Sequence, residues 1–132
     1  MKLITRDTDY ALRALCFIAK SREKIVSAAG LVKKLRIPRP FLRKILQVLN
    51  KKKILKSYKG QDGGFSLATT PDKIFLLDLI KIFQGPLRLN ECFFKKKACP
   101  GRKTCPLKKK IDGIERYMIK ELKSVNLTFL YR

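Results

Sequence analysis

Apolar residues recur at three- and four-residue steps along most of the chain, interrupted once by short strand-like runs. Tyr10, Ala11, Ala14, Leu15 and Ile18 follow Thr8 at helical spacing and predict a first helix over about 9–20, with Thr8 as its N-cap. Ser27 is placed to cap a second, short helix that runs through Leu35. The Ile37-Pro38-Arg39-Pro40 run then forces a turn and opens a third helix over about 40–50. In that helix Phe41, Leu42, Ile45, Leu46 and Leu49 form the inward face, which leaves Arg39, Arg43, Lys44, Gln47 and Asn50 on the other. Two short helices around a tight turn have the pattern of a helix-turn-helix.

Ile54 to Tyr58 and Phe65 to Ala68 read as short strands joined by Lys59-Gly60-Gln61-Asp62-Gly63-Gly64, whose glycines supply the positive φ angles of a tight hairpin. A hairpin directly after a recognition helix is a wing, and Lys59 and Gln61 sit at its tip with little bulk to bar them from a minor groove. Thr70 as N-cap with Pro71 at the first helical position predicts a fourth helix, with Ile74, Leu77, Ile80, Ile82 and Phe83 as its apolar face up to Gly85-Pro86. From Leu107 the residues Ile111, Ile114, Met118, Leu122 and Val125 make a stripe that suits a partner helix or the chain's own core. With four helices already serving that core, a dimer helix is expected.

These elements predict a mainly α protein: a winged helix-turn-helix DNA-binding domain over 1–86 with a β-hairpin wing, a cysteine-containing loop over 87–108, and a long C-terminal dimerisation helix with its tail over 109–132. No internal repeat and no Gly/Ser linker divides the chain further. Its length of 132 residues suits one compact domain, and a hydrophobic fraction of 45% is too rich for a disordered basic tail.

Charge narrows the partners. The chain carries 32 Lys plus Arg against 10 Asp plus Glu, a formal charge of +22. Such a surface repels itself unless a polyanion neutralises it, so nucleic acid is the first partner to consider. Between Lys24 and Gln61 there is no carboxylate, yet twelve basic residues fall there: Lys24, Lys33, Lys34, Arg36, Arg39, Arg43, Lys44, Lys51, Lys52, Lys53, Lys56 and Lys59. The third helix lies inside this block, which converts its outward face from an ordinary solvated surface into a candidate DNA reader. Arg39, Arg43, Lys44 and Gln47 offer donors for phosphates and purine edges, with Arg able to pair bidentately with guanine. A membrane is not expected as partner, because runs such as Ile74 to Leu77 fall far short of the ~20 apolar residues that cross a bilayer. Charged residues Lys2, Arg6, Asp7, Asp9 and Arg13 also break any secretory signal, which points to the cytoplasm.

The chain has no histidine, so His-based triads and His-ligated zinc are excluded, and no paired carboxylates, nucleophile elbow or phosphate loop suggests an enzyme. Of the four cysteines, Cys16 falls within the first helix and is read as a small core residue. Cys92, Cys99 and Cys105 gather within 14 residues, with Cys99-Pro100-Gly101 and Cys105-Pro106 turns able to bend their sulfurs toward one centre. The spacing is not that of a zinc ribbon, and three thiols leave one position unfilled. Eight basic residues between Phe93 and Ile111 would offset the negative charge of thiolates bound to iron and sulfide. Iron–sulfur, zinc and metal-free thiol chemistry all remain open on these grounds.

Several segments together resemble a known family: Asp9-Tyr10-Ala11-Leu12-Arg13, the Phe41-Leu42 to Leu49 helix, the wing Ser57-Tyr58-Lys59-Gly60-Gln61-Asp62-Gly63-Gly64-Phe65-Ser66-Leu67-Ala68, and the three spaced cysteines. The chain is similar, from Met1 to about Val125, to the Rrf-two family of bacterial winged-helix transcription regulators, typified by IscR, NsrR and CymR. The resemblance implies a homodimer on palindromic double-stranded operator DNA. It also implies an iron–sulfur cluster, 2Fe-2S or 4Fe-4S, held by Cys92, Cys99 and Cys105 and sensing redox state, nitric oxide or iron–sulfur status. IscR-like members complete the cluster with a histidine where this chain has Lys108. NsrR-like members use an N-terminal aspartate of the partner subunit, and Asp9 falls at the matching place here, with Asp7, Glu91, Asp112, water or a small thiol as the other candidates for the fourth position. The first cysteine gap is one residue longer than usual, and Lys59 stands where the wing commonly carries Arg, which keeps the charge but loses the bidentate fork. Two rival expectations stand beside this one: a cluster-free thiol or zinc regulator of the same fold, and a basic RNA-binding protein without sequence preference.

Overall fold

Helix α1 (Arg6–Lys20) turns Thr8, Ala11, Ala14, Leu15 and Ile18 inward, and everything N-terminal to the wing packs around that face. The structure, a computed structural model, describes residues 2–89 and 105–131. Cys92 and Cys99 lie outside the described residues. Helix α2 (Ala28–Leu35) begins where Ser27 accepts a hydrogen bond from the Gly30 amide at 3.0 Å, the expected cap. It ends at Arg36, whose left-handed φ of 56° turns the chain sharply into α3 (Arg39–Lys51). Leu42, Ile45, Leu46 and Leu49 of α3 are buried against α1 and α2, so the helix-turn-helix rests on a dry core.

Phe41 departs from expectation. It is 39% exposed, and its ring lies under the Arg6 guanidinium at 4.3 Å. Position 41 belongs to the first turn of α3, beyond the edge of the core, and Leu42 takes the inward place.

The wing pairs β1 (Leu55–Tyr58) with β2 (Gly64–Leu67) antiparallel, with Lys56 opposite Ser66 and Ser57 opposite Phe65. A second pairing joins the hairpin to the entrance of α2: Phe65 donates to the Val26 carbonyl at 2.8 Å, and Val26 donates back to Phe65 at 2.9 Å. Gly64 makes that approach possible, since a Cβ there would lie 2.3 Å from the Val26 carbonyl oxygen.

The N-cap of α1 is Thr5 rather than Thr8. Thr8 is fully buried inside the helix and donates its hydroxyl to Gln84 Oε1 at 2.7 Å, the same oxygen that accepts the Thr5 amide at 2.9 Å. Gln84 Nε2 in turn donates to the Leu3 carbonyl at 3.1 Å, so one carboxamide fastens the start of α1 to the end of α4 (Leu76–Gln84). The predicted fourth helix is also divided. Pro71–Lys73 form a 3₁₀ turn and α4 starts only at Leu76, because Phe75 is extended and bridges to Asn126.

Helix α5 (Pro106–Leu122) carries the predicted stripe, but it buries no residue completely, and Val125 lies beyond its end. The chain then folds back as α6 (Leu127–Leu130), and Leu127, only 1% exposed, enters the core beside Ile74. Leu127 donates to the Ile74 carbonyl at 2.8 Å, and Leu76 donates to the Val125 carbonyl at 3.0 Å. No helix among the described residues is long and apolar enough to cross a membrane.

Candidate nucleic-acid interface and cysteine segment

The outward residues of α3 lie on one stripe. Arg39, Arg43 and Gln47 are spaced by four and share a helix face, with Asn50 three residues on, and Lys44 stands beside them. All five are exposed. The amphipathic split that fixes this is complete: each inward position of the same turns is a buried Leu or Ile, so the helix cannot rotate its cations out of reach.

Arg39, Arg43 and Gln47 form one wall of a groove of about 410 Å³, with Ala28 and Ala29 of α2 and Phe65 of the wing opposite. Small side chains at the start of α2 keep the groove open. Lys59 and Gln61 occupy the exposed wing tip, reached through a turn in which Gly60 takes φ 106°. Asp62 is the carboxylate of that tip. The structure thus brings Arg39, Arg43 and Gln47 to one groove, and sets Lys44 beside it and Lys59 and Gln61 at the hairpin tip.

Asp9 sits two residues from Asp7 in the first turns of α1, 42% exposed, and accepts an ion pair from Arg13 Nε at 3.0 Å. An exposed pair of this kind contributes little to stability. Cys105 is a half-buried free thiol at the N-cap of α5, followed by Pro106 at the first helical position. On the near side of the cysteine segment, the Leu89 amide donates to Glu115 Oε1 of α5 at 2.9 Å, so both flanks of residues 90–104 are tied to the same helix. Among the described residues no group of three or more Cys, Asp or Glu converges on one point. Cys16 lies half-buried against the core, and that burial pushes its thiol pKa up against the opposing pull of Lys20.

Sequence reasoning missed the Gln84 fastening and the return of Leu127. Neither has a local signal, because each joins residues more than fifty positions apart.

A helix-turn-helix on a buried core, followed by a hairpin wing and inside a basic block, defines the winged-helix class of fold. The profile of the Rrf2 family, described as an iron-dependent transcriptional regulator, matches residues 4–132, and the chain belongs to that family. It is 40% identical over 90 residues to a candidate HTH-type transcriptional regulator of Aquifex aeolicus (strain VF5), covering 68% of this chain and 62% of that one. It is 30% identical over 129 residues to the HTH-type transcriptional regulator NsrR of Shouchella clausii (strain KSM-K16), covering 90% and 87%. The matched stretches span less than two thirds of the Aquifex protein and of Protein aau3 of Rhizobium meliloti (strain 1021), at 62% and 64%. Among solved structures, CymR (YrzC), the global cysteine regulator of B. subtilis, superposes with a TM-score of 0.78 at 23% identity, covering 99% of this chain and 97% of that one. IscR of T. potens gives 0.73 at 22%, covering 98% and 85%. These two likenesses establish the fold.

Proposed function

We propose that this transcription regulator acts in the cytoplasm as a homodimer that reads a palindromic duplex, and that its cysteine segment holds an iron–sulfur cluster. The observation that carries the DNA reading is the α3 stripe: Arg39, Arg43 and Gln47 stand exposed on one face and line an open groove, with Lys44 beside them for the backbone. Lys59 and Gln61 of the wing tip enter the adjacent minor groove. In the dimer the stripe of Leu107, Ile111, Ile114, Met118 and Leu122 packs on its copy, which sets the two α3 helices about one DNA turn apart. Residues 1–86 then serve as the reading domain, 87–108 as the sensing loop and 109–132 as the dimer helix with its tail.

The donor chemistry fits a cluster. Cys92, Cys99 and Cys105 would supply three sulfurs and Asp9 of the partner subunit an oxygen, and the chain has no histidine for the fourth place. Cys105 stands at the N-cap of α5, where the positive end of the helix would favour a thiolate bound to iron. When bound, the cluster supplies iron whose oxidation or loss is the signal. The chain's part is mechanical: Cys105 and the Leu89–Glu115 bond tie both flanks of the cysteine segment to α5, so a group held there would bear on the helix that spaces the two readers.

Two measurements test the parts separately. Selection from a random duplex pool with anaerobically purified protein should yield a palindrome, and Arg43→Ala should weaken it by about 1–3 kcal/mol while hardly changing random duplex. Equal losses on both duplexes defeat base reading by Arg43. The visible spectrum of the anaerobic protein should show sulfide-to-iron charge transfer that vanishes when Cys92, Cys99 or Cys105 is replaced by Ala. A colourless protein with full zinc occupancy would instead favour the zinc regulator of the same fold.

A further inference from the structure

Two contacts at the start of α1 reach two different helices. The Gln84 carboxamide, on the last residue of α4, holds three N-terminal residues at once. It accepts from the Thr5 amide at 2.9 Å and the Thr8 hydroxyl at 2.7 Å, and donates to the Leu3 carbonyl at 3.1 Å. The Thr5 and Thr8 hydroxyls lie 3.3 Å apart beside it. Thr5 and Thr8 share one helix face, and Arg6 lies on another. There its guanidinium lies over the Phe41 ring of α3 at 4.3 Å. Its pair with Asp7 is longer than a hydrogen bond, at 3.7 Å, and exposed, so the ring is the firmer partner.

Thr8 is the one buried polar side chain among the described residues. Apolar side chains of the same shape would hold α1 to α4 about as well, since a buried hydrogen bond contributes little net stability. What directed bonds add is orientation: three of them on one planar carboxamide fix the rotation of α1 about its axis and its register along α4. Phe41 stands in need of such an anchor. It is 39% exposed in the first turn of α3, between Arg39 and Arg43, where the core no longer grips it. Helix α1 packs on both α3 and α4, and its first turn carries the link between them.

We infer that Gln84 is a positioning residue for the reading helix: through Thr5 and Thr8 it sets where Arg6 stands, and Arg6 on Phe41 sets the first turn of α3, which carries Arg39 and leads to Arg43. This rests on the α3 reading proposed above. Gln84 itself touches no duplex. A shift of the α1 start moves Arg39 and Arg43 together, and a bidentate contact needs both donors aimed at one base edge. Phosphates, by contrast, respond to the charge present, which such a shift leaves unchanged. Selectivity is therefore the quantity that Gln84 controls, and affinity for arbitrary duplex is not.

The test uses the full chain, purified without air, on a duplex selected by the protein and on a random duplex of equal length, at one salt concentration. Gln84→Leu removes the three bonds and keeps bulk and charge. It should lower the selected-to-random affinity ratio about two- to thirtyfold, with random binding within about 1.5-fold of the parent. Phe41→Leu should do the same, and the double variant should fall no further than the larger single loss, because the second change cuts a link already broken. Thr8→Ser, which keeps the hydroxyl, should retain the ratio that Thr8→Val loses. Ile74→Val, a core change at the other end of α4, should lower Tm and leave the ratio alone, which separates positioning from plain loss of stability. Losses that multiply in the double variant, an equal loss in Ile74→Val, or an unchanged ratio in Gln84→Leu would overturn the inference. Hydrogen exchange at the Leu42 and Arg43 amides, read without DNA, should quicken about two- to thirtyfold in Gln84→Leu, and unchanged exchange would equally overturn it. A parent that bound both duplexes alike would instead defeat the α3 reading, and exchange would then decide the inference alone.

Discussion

Helices α3 and α5 carry the same kind of apolar periodicity, yet one buries four residues and the other none. The stripe of α3 is met by α1 and α2 of its own chain, so its apolar side is satisfied and its cations are left on the outward face. Among the described residues the stripe of α5 leans on α4, with Ile114 at 50% exposure and Leu107 at 67%. Periodicity alone therefore tells that a face is apolar and not what covers it. A face fully covered within the chain builds a core, and a half-covered one on a long helix is material for an interface.

The sharpest break between the two helices is truncation at the core. Leu46→Ala and Leu127→Ala should each cost about 2–5 kcal/mol of unfolding free energy in urea denaturation, since both side chains are almost wholly buried. A loss below about 1 kcal/mol at Leu127 would mean that the C-terminal return adds nothing to the core. The cap of α2 comes next: Ser27→Ala should cost about 1 kcal/mol by removing the acceptor for the Gly30 amide. Thr8→Val, by denaturation, should cost a similar amount, about 1 kcal/mol, through the bond to Gln84. Ile114→Glu should change unfolding free energy by less than about 0.5 kcal/mol at equal protein concentration under dissociating conditions. In sedimentation at assay concentrations, however, that variant should shift from dimer to monomer. A folded, still dimeric Ile114→Glu would remove α5 from the interface. The smallest effect belongs to Cys16, whose burial raises its thiol pKa: its alkylation should be slow at pH 7 and gain pace as the solution turns alkaline.

Much of the DNA-binding half was legible because its signals are local. Ser27 caps where expected, α3 begins and ends within one residue of its predicted span, and the glycine-rich turn forms a hairpin. The misreadings share a cause. Thr8 reads as a cap until Gln84, 76 positions away, claims its hydroxyl. Thr70 and Pro71 read as a helix start until Asn126 draws Phe75 into an extended bridge. Phe41 reads as core because helical spacing cannot say where the core ends. For the cysteine segment only Cys105 falls among the described residues, so the ligand set rests on spacing and resemblance.

The paired bonds between Val26 and Phe65 have a consequence for how such a reader meets its target. They clip the wing to the threshold of α2, the helix that packs on α3, so the hairpin and the helix-turn-helix form one bracket. If the proposed reading of a duplex holds, the double helix is the partner that must adjust, and operators whose base steps twist and open cheaply should be favoured even at positions no side chain touches.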